Sequence, residues 1–169
     1  LALGATRGAL FVAIKYAMSR KSIGPDGESS VPIFNYQLQQ NAIMPLMART
    51  FALNCLYNNS RDIFANPKGY EDQMVMRCCV TKTMMGWNCL KTASTCRERC
   101  GGQGYLAISR FSDYLACAHA SVTAEGDNRV LMVKVVKDML TNILKTKSMK
   151  LPATSLNVLK QIGTFSDVT

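Results

Sequence analysis

Apolar residues return every three or four positions along almost the whole of this chain, and nowhere do they alternate. Helices and strands repeat their faces with periods of about 3.6 and 2, so this spacing commits the backbone to helices before any motif is considered. Residues 1–20 carry Leu3, Leu10, Phe11, Ile14, Ala17 and Met18 at helical spacing. That helix should stop near Gly24-Pro25-Asp26-Gly27, where proline biases the preceding residues away from the helical region and the glycines permit a turn. Residues 28–31 then read as a connector. A second helix is predicted over 32–59, with Leu38, Ile43, Leu46, Met47, Phe51, Leu53 and Leu56 as its apolar positions. Pro45 should kink it or shift its start, because it lacks a backbone donor and crowds the preceding turn.

A surface loop holding Asn66-Pro67-Lys68-Gly69 leads into a third helix over 70–99, where Met74, Val75, Cys78, Cys79, Met84, Trp87, Leu90 and Cys96 act as soft, gap-filling core residues. A short helical segment over 106–120 and a last helix over 127–145 complete the pattern, the latter with Leu131, Val135, Val136, Met139, Leu140, Ile143 and Leu144 on one broad face. Four long amphipathic segments with short connections predict an all-α fold, an antiparallel four-helix-type bundle over residues 1–147. A polar tail follows over 148–169.

Composition narrows the classes of function. At 169 residues and 48% hydrophobic, the chain fits one domain with a sizeable core. No stretch of about 18 uninterrupted apolar residues is present, so no membrane span is expected. No signal-peptide pattern follows Leu1, and the chain reads as beginning inside a longer protein. The net charge of +9 favours anionic partners without choosing among nucleotide phosphates, CoA, nucleic acid and acidic lipid. Nucleic acid is not expected as a partner, since no zinc-finger spacing, RNA-recognition signature or aromatic-basic interleaving occurs. Arg129, Lys134, Lys137, Lys145, Lys147 and Lys150 crowd the last helix and its tail against the single acid Asp138, and read as a solvated face. The seven cysteines, an odd number scattered through helical segments, read as reduced, buried thiols of an intracellular protein. No metal site is expected, because Cys96 and Cys100 are accompanied by no CxxC pair and no second histidine. The lone His119 reads as a hydrogen-bonded core histidine.

Two compact polar motifs stand out between residues 96 and 128. In Cys100-Gly101-Gly102-Gln103-Gly104-Tyr105, three glycines in four positions remove the Cβ atoms that would hold a ligand or another backbone at a distance. In Thr123-Ala124-Glu125-Gly126-Asp127-Asn128, a carboxylate sits beside a glycine just before a helix. Read singly, the first is a tight interhelical turn. The second is a helix N-cap in which Asp127 or Asn128 accepts orphan backbone N–H groups.

Together, in this order, the two motifs resemble the C-terminal flavin domain of the acyl-CoA oxidase and acyl-CoA dehydrogenase superfamily, the oxidase branch more closely. Three further segments support the resemblance: Ala13-Ile14-Lys15-Tyr16-Ala17-Met18-Ser19-Arg20-Lys21-Ser22, Tyr36-Gln37-Leu38-Gln39-Gln40 and Pro45-Leu46-Met47-Ala48. It spans residues 1–144. It implies α,β-desaturation of an acyl-CoA thioester, with FAD as hydride acceptor and oxygen as final acceptor, in peroxisomal fatty acid β-oxidation. Glu125 matches the catalytic glutamate, with Gly126 allowing the thioester to approach. Arg20, Lys21 and Ser22 match the segment that reaches the FAD of a neighbouring subunit, and Gln37 matches a further flavin contact. Gly101 and Gly102 match the glycines against the adenosine diphosphate portion, while Asp127 and Asn128 follow the base where the family touches flavin again. A homodimer is implied.

Two positions depart from the family pattern. Ile23 replaces a common aromatic residue, and Glu98 stands where dehydrogenases usually have glutamine, an acid that would repel a pyrophosphate if it faced one. The family's N-terminal helical domain and middle β-domain have no counterpart in these residues, and Ser166-Asp167-Val168-Thr169 is no peroxisomal address. A chain holding only this bundle also fits a second reading: a non-catalytic scaffold subunit within a larger assembly.

Overall fold

The computed structural model describes residues 1–145. Five α-helices account for most of them: α1 (Ala2–Ser19), α2 (Gln37–Ala65), α3 (Glu71–Arg99), α4 (Phe111–Thr123) and α5 (Asn128–Lys145). The all-α bundle expected from the periodicity is therefore the fold. The stretch expected as a polar tail lies outside the described residues, as does Lys147.

α3 is the hub, with the other four helices packed against it. Its core-facing residues Thr83, Cys89, Thr92, Ala93 and Cys96 are fully buried and mostly small. α1 meets it with Ala9, Ala13 and Ala17, also fully buried, so two helices of short side chains approach closely. Ile43 and Leu46 of α2 and Phe111 of α4 close the cluster. Burial of side chains as large as Ile43 or Phe111 stabilises the fold by about 1.5–3 kcal/mol each.

Polar pairs set the register between the antiparallel α2 and α3. Gln39 Nε2 donates to the Arg99 carbonyl at 3.2 Å, Asn88 Nδ2 donates to Thr50 Oγ1 at 3.1 Å, and the Ser60 and Thr81 hydroxyls lie 2.8 Å apart. A slide of one helix along the other would leave several buried polar groups unpaired, which costs about 1–3 kcal/mol each.

The helix boundaries differ from expectation mainly in α2, which starts and ends later than the predicted 32–59. Val31–Pro32 instead pairs antiparallel with Lys21–Ser22, as β2 and β1, and Ile33–Asn35 forms a 3-10 turn. This miniature sheet replaces the featureless connector and anchors the end of α1. α2 runs unbroken past Pro45, whose ring faces the exposed side. Several residues expected inside are outside, among them Phe11, Leu38 and Phe51. His119 is exposed, not a core histidine, because α4 turns Phe111 and Ala118 inward. Cys55 and Cys78 are exposed as well, whereas Cys89, Cys96 and Cys100 are buried. No helix of the described residues is long and apolar enough to cross a membrane.

Candidate functional site

The two motifs form the two corners at which the chain leaves α3 and enters α5. At the first, Gly101–Tyr105 is a 3-10 turn that follows directly on α3. Its glycines serve different ends. Gly104 is required by the fold, since a Cβ there would run into the Arg97 carbonyl oxygen. Gly101 has φ +54°, a conformation that disfavours side chains, yet open space lies where its Cβ would be. Gly102 has neither constraint: its backbone suits any residue, and nothing stands within 4 Å of the position a Cβ would take. The fold gives no reason for glycine there.

Beside this turn lies a cleft of about 290 Å³, lined by Arg20, Lys21, Ser22, Gln39, Glu98, Arg99 and Gly101, with Tyr16 and Ile33 behind. Arg20 and the β1 pair Lys21 and Ser22 are thus brought to Gly101 by the end of α1. Gln37 is not in the cleft. It is exposed at the first position of α2, while Gln39, two residues on, is buried and reaches the cleft. The cleft holds three cationic side chains against one acid, Glu98, whose carboxylate is 3.4 Å from the Ser94 hydroxyl. Arg99 Nε is buried and has no hydrogen-bond partner. An anion with several acceptor oxygens suits this surface.

The second corner connects α4 to α5. α4 ends at Thr123, and Glu125 and Gly126 then follow one another with φ of +59° and +105°. Left-handed backbone is unfavourable by about 1–2 kcal/mol for a residue such as Glu125. Glu125 lines a cavity of about 710 Å³ at the surface, among Leu3, Tyr57, Phe64, Met85 and Ala124. Glu125 is exposed. Arg7, Arg61 and Lys82 stand on the same walls. Gly126 is needed for its own backbone, and a Cβ would also press on the Leu131 side chain at 3.2 Å.

Asp127 caps α5, its Oδ1 accepting the amides of Arg129 at 2.8 Å and Val130 at 3.3 Å. Asn128 turns inward. It is 1% exposed, its Oδ1 accepting from Lys82 Nζ at 2.7 Å and its Nδ2 donating to the Thr83 carbonyl at 3.2 Å. Its side-chain amide is engaged within the chain. The sequence reading missed Gln39, Arg99 and Lys82. Gln39 stood inside a quoted motif, and Arg99 directly before the glycine turn, but nothing near Lys82 in sequence marks it.

The two corners are separate. Lys82, beside Glu125, and Arg99, beside the cleft, are 17 positions apart on α3, roughly 25 Å at 1.5 Å per residue. Among the described residues, no group of three or more His, Cys, Asp or Glu side chains is placed to hold a metal ion.

Solved structures give the class. The chain superposes on acyl-CoA oxidase 1 of Arabidopsis thaliana with TM-score 0.64 and 27% identity, over 90% of this chain and 24% of that one. It matches acyl-CoA oxidase-1 of Caenorhabditis elegans, solved with FAD and ATP, with TM-score 0.73 and 21% identity, over 89% and 24%. The fold is that of an acyl-CoA oxidase or dehydrogenase C-terminal helical domain. The sequence profile of the acyl-CoA oxidase C-alpha1 domain matches residues 2–140, and the chain belongs to that family. Peroxisomal acyl-coenzyme A oxidase 2 of Arabidopsis thaliana is 32% identical over 134 residues, 76% of this chain and 19% of that protein. The chain spans about a fifth to a quarter of the length of the curated relatives it matches.

Proposed function

We propose that this chain supplies the catalytic base and part of the flavin-binding surface of an FAD-dependent acyl-CoA oxidase. The enzyme would desaturate an acyl-CoA to the trans-2-enoyl-CoA and pass the electrons to oxygen. The observation that carries this reading is Glu125: a non-glycine residue held in left-handed backbone that lines a largely apolar cavity. Backbone strain of this kind persists when the surrounding structure over-determines it, and it clusters at active sites.

In this reading the Glu125 carboxylate takes the proton from the carbon next to the thioester carbonyl. General bases act within hydrogen-bond reach of the proton they remove, so the aim of the side chain matters before its basicity does. The apolar walls around Leu3, Phe64 and Met85 would take up the hydrocarbon and exclude water from the carboxylate. Bound FAD would supply the hydride acceptor for the β-hydrogen.

The residues of the cleft fit the phosphate portion of such a cofactor. Arg20, Lys21 and Arg99 offer charge, Arg99 Nε is buried without a partner, and Gly101 in the lining, with Gly102 next to it in sequence, leaves open space that side chains would narrow. Ser22 and Gln39 line the same surface, Gln39 in the place proposed from sequence for Gln37. Because cleft and base lie roughly 25 Å apart along α3, we assign them to two different flavin sites. A homodimer in which each chain lends its cleft to the other's site accounts for that separation. The outward apolar side chains Phe11, Met47, Phe51 and Val133 suit burial against another part of such an assembly. The names of relatives, peroxisomal acyl-coenzyme A oxidases, support a peroxisomal location.

The full-length protein tests this reading. Flavin absorbance on purification, hydrogen peroxide release on adding acyl-CoA, and loss of that release in Glu125→Gln with flavin retained are the expected results. A folded protein with no flavin and no peroxide would instead favour the scaffold reading.

A further inference from the structure

We propose that Lys82 is a positioning residue for Glu125, tying the strained α4–α5 turn to α3 so that Glu125 keeps its place in the cavity lining. The inference rests on Glu125 being the base. The Lys82 ammonium donates to the Gly126 carbonyl at 2.5 Å and to Asn128 Oδ1 at 2.7 Å. It therefore grips the residue that follows Glu125 and the first residue of α5. Asn128 passes the tie back to α3 through Thr83, at 3.2 Å.

Gly86, one turn further along the same face, completes the seat. A Cβ there would lie 3.0 Å from Asn128 Nδ2 and 3.1 Å from the Ser121 carbonyl. Residues 82, 83 and 86 thus form one surface on which the turn rests, and only Lys82 brings a charge to it. Hydrogen bonds from an ionised donor are about twice as strong as neutral ones.

The direction of the Glu125 side chain depends on this grip. At φ +59° its Cβ points where the turn dictates, and relaxation to the ordinary negative-φ region would swing the side chain about the N–Cα bond. The favourable direction of that relaxation is away from the strained state. The cap made by Asp127 secures α5 but bonds only within the chain's own next residues. Lys82 and Asn128 are what tie the turn to α3. Lys82 also lines the cavity itself, so the bond that sets the aim of the carboxylate lies in the wall the substrate would touch.

The test is steady-state kinetics of the full-length enzyme with saturated straight-chain acyl-CoAs, protiated or deuterated at C2, for Lys82→Met, Lys82→Arg and Glu125→Gln. Lys82→Met should lower kcat by on the order of 100-fold, the size expected when a reacting group is misplaced by about 1 Å. Flavin content and KM should stay near those of the parent, and the C2-deuterium isotope effect on kcat should rise. Lys82→Arg, which keeps charge and donors, should recover much of the loss. A merely structural role would not raise the isotope effect. Lys82→Met turning over like the parent while Glu125→Gln is inactive overturns the role of Lys82 and leaves the base in place; an active Glu125→Gln overturns both. Should Lys82→Met fail to fold or to hold flavin, Lys82→Arg decides. A folded Arg variant with kcat largely lost and an unchanged isotope effect contradicts the proposal, and one with substantial kcat supports it.

Discussion

Asn128 donates its side-chain amide to the main-chain carbonyl of Thr83 at 3.2 Å, across 45 positions of sequence, and so fixes the start of α5 against the middle of α3. The bond is buried, and its loss would remove a tie between α5 and α3 and leave the Lys82 ammonium short of one acceptor. Asn128→Ala should therefore destabilise the protein by about 1–3 kcal/mol. The neighbouring exposed Arg129→Ala should stay within about 0.5 kcal/mol of the parent. Urea midpoints at a common m-value compare the two.

The glycine turn makes a sharper contrast. Gly104→Ala forces a methyl group against the Arg97 carbonyl, a backbone atom that cannot swing aside, and should lower stability by about 1–3 kcal/mol or more. Gly102→Ala meets open space in an unstrained backbone and should leave the melting temperature unchanged. If a phosphate group lies where we propose, the same Gly102→Ala should weaken flavin retention. Thermal unfolding and flavin titration of both variants separate a glycine kept for folding from one kept for a ligand.

The cysteines divide by burial. Cys55 and Cys78 should react promptly with a thiol reagent at mildly alkaline pH in the native protein, whereas Cys89, Cys96 and Cys100 should react only after unfolding. Burial pushes the Cys96 thiol up to about 12, the nearby Cys100 adding to it, and pushes Cys100 up to about 11, from an ordinary value of 9.0. Above pH 9.0 the unfolded chain releases these protons while the folded one keeps them. The stability they contribute is present in full below that pH and falls as pH rises toward 11 and 12, by up to about 1.4 kcal/mol per pH unit for each thiol. Denaturant midpoints from pH 8 to pH 11 should decline accordingly, and replacing Cys96 by Ala should flatten the decline.

Much of this architecture is legible in the sequence because period and punctuation agree. Gly69 and Gly101 bracket α3, and its boundaries follow to within one or two residues. The expected start of α2 at residue 32 is early, because Val31–Pro32 pairs with Lys21–Ser22 and Ile33–Asn35 forms a 3-10 turn before the helix begins. The far end of α2 continues past Asn59 because Ser60 finds Thr81 on the neighbouring helix, a partner that local pattern does not reveal. Periodicity also cannot tell which of two apolar faces is inside. On α1 the small residues Ala9, Ala13 and Ala17 are buried, and the larger Phe11 and Met18 are outside.

The candidate site divides the same way. Glu125 and the glycine turn are local motifs and can be read directly. Lys82 is not, since its bonds to Gly126 and Asn128 close loops of 44 and 46 residues that exist only once α3 and α5 have packed. Gln39 and Arg99 became visible for a similar reason: one bond between α2 and the end of α3 brings them together.

Anaerobic mixing of the flavin-loaded full-length protein with acyl-CoA in a stopped-flow spectrometer tests the central claim most directly. Bleaching of the flavin band reports removal of the substrate's two hydrogens without any contribution from oxygen. The account predicts that the parent bleaches, that C2-deuterated acyl-CoA slows it, and that Glu125→Gln binds acyl-CoA but leaves the band intact. Bleaching of Glu125→Gln at the parent's rate would contradict it, and the proton acceptor would have to be sought elsewhere.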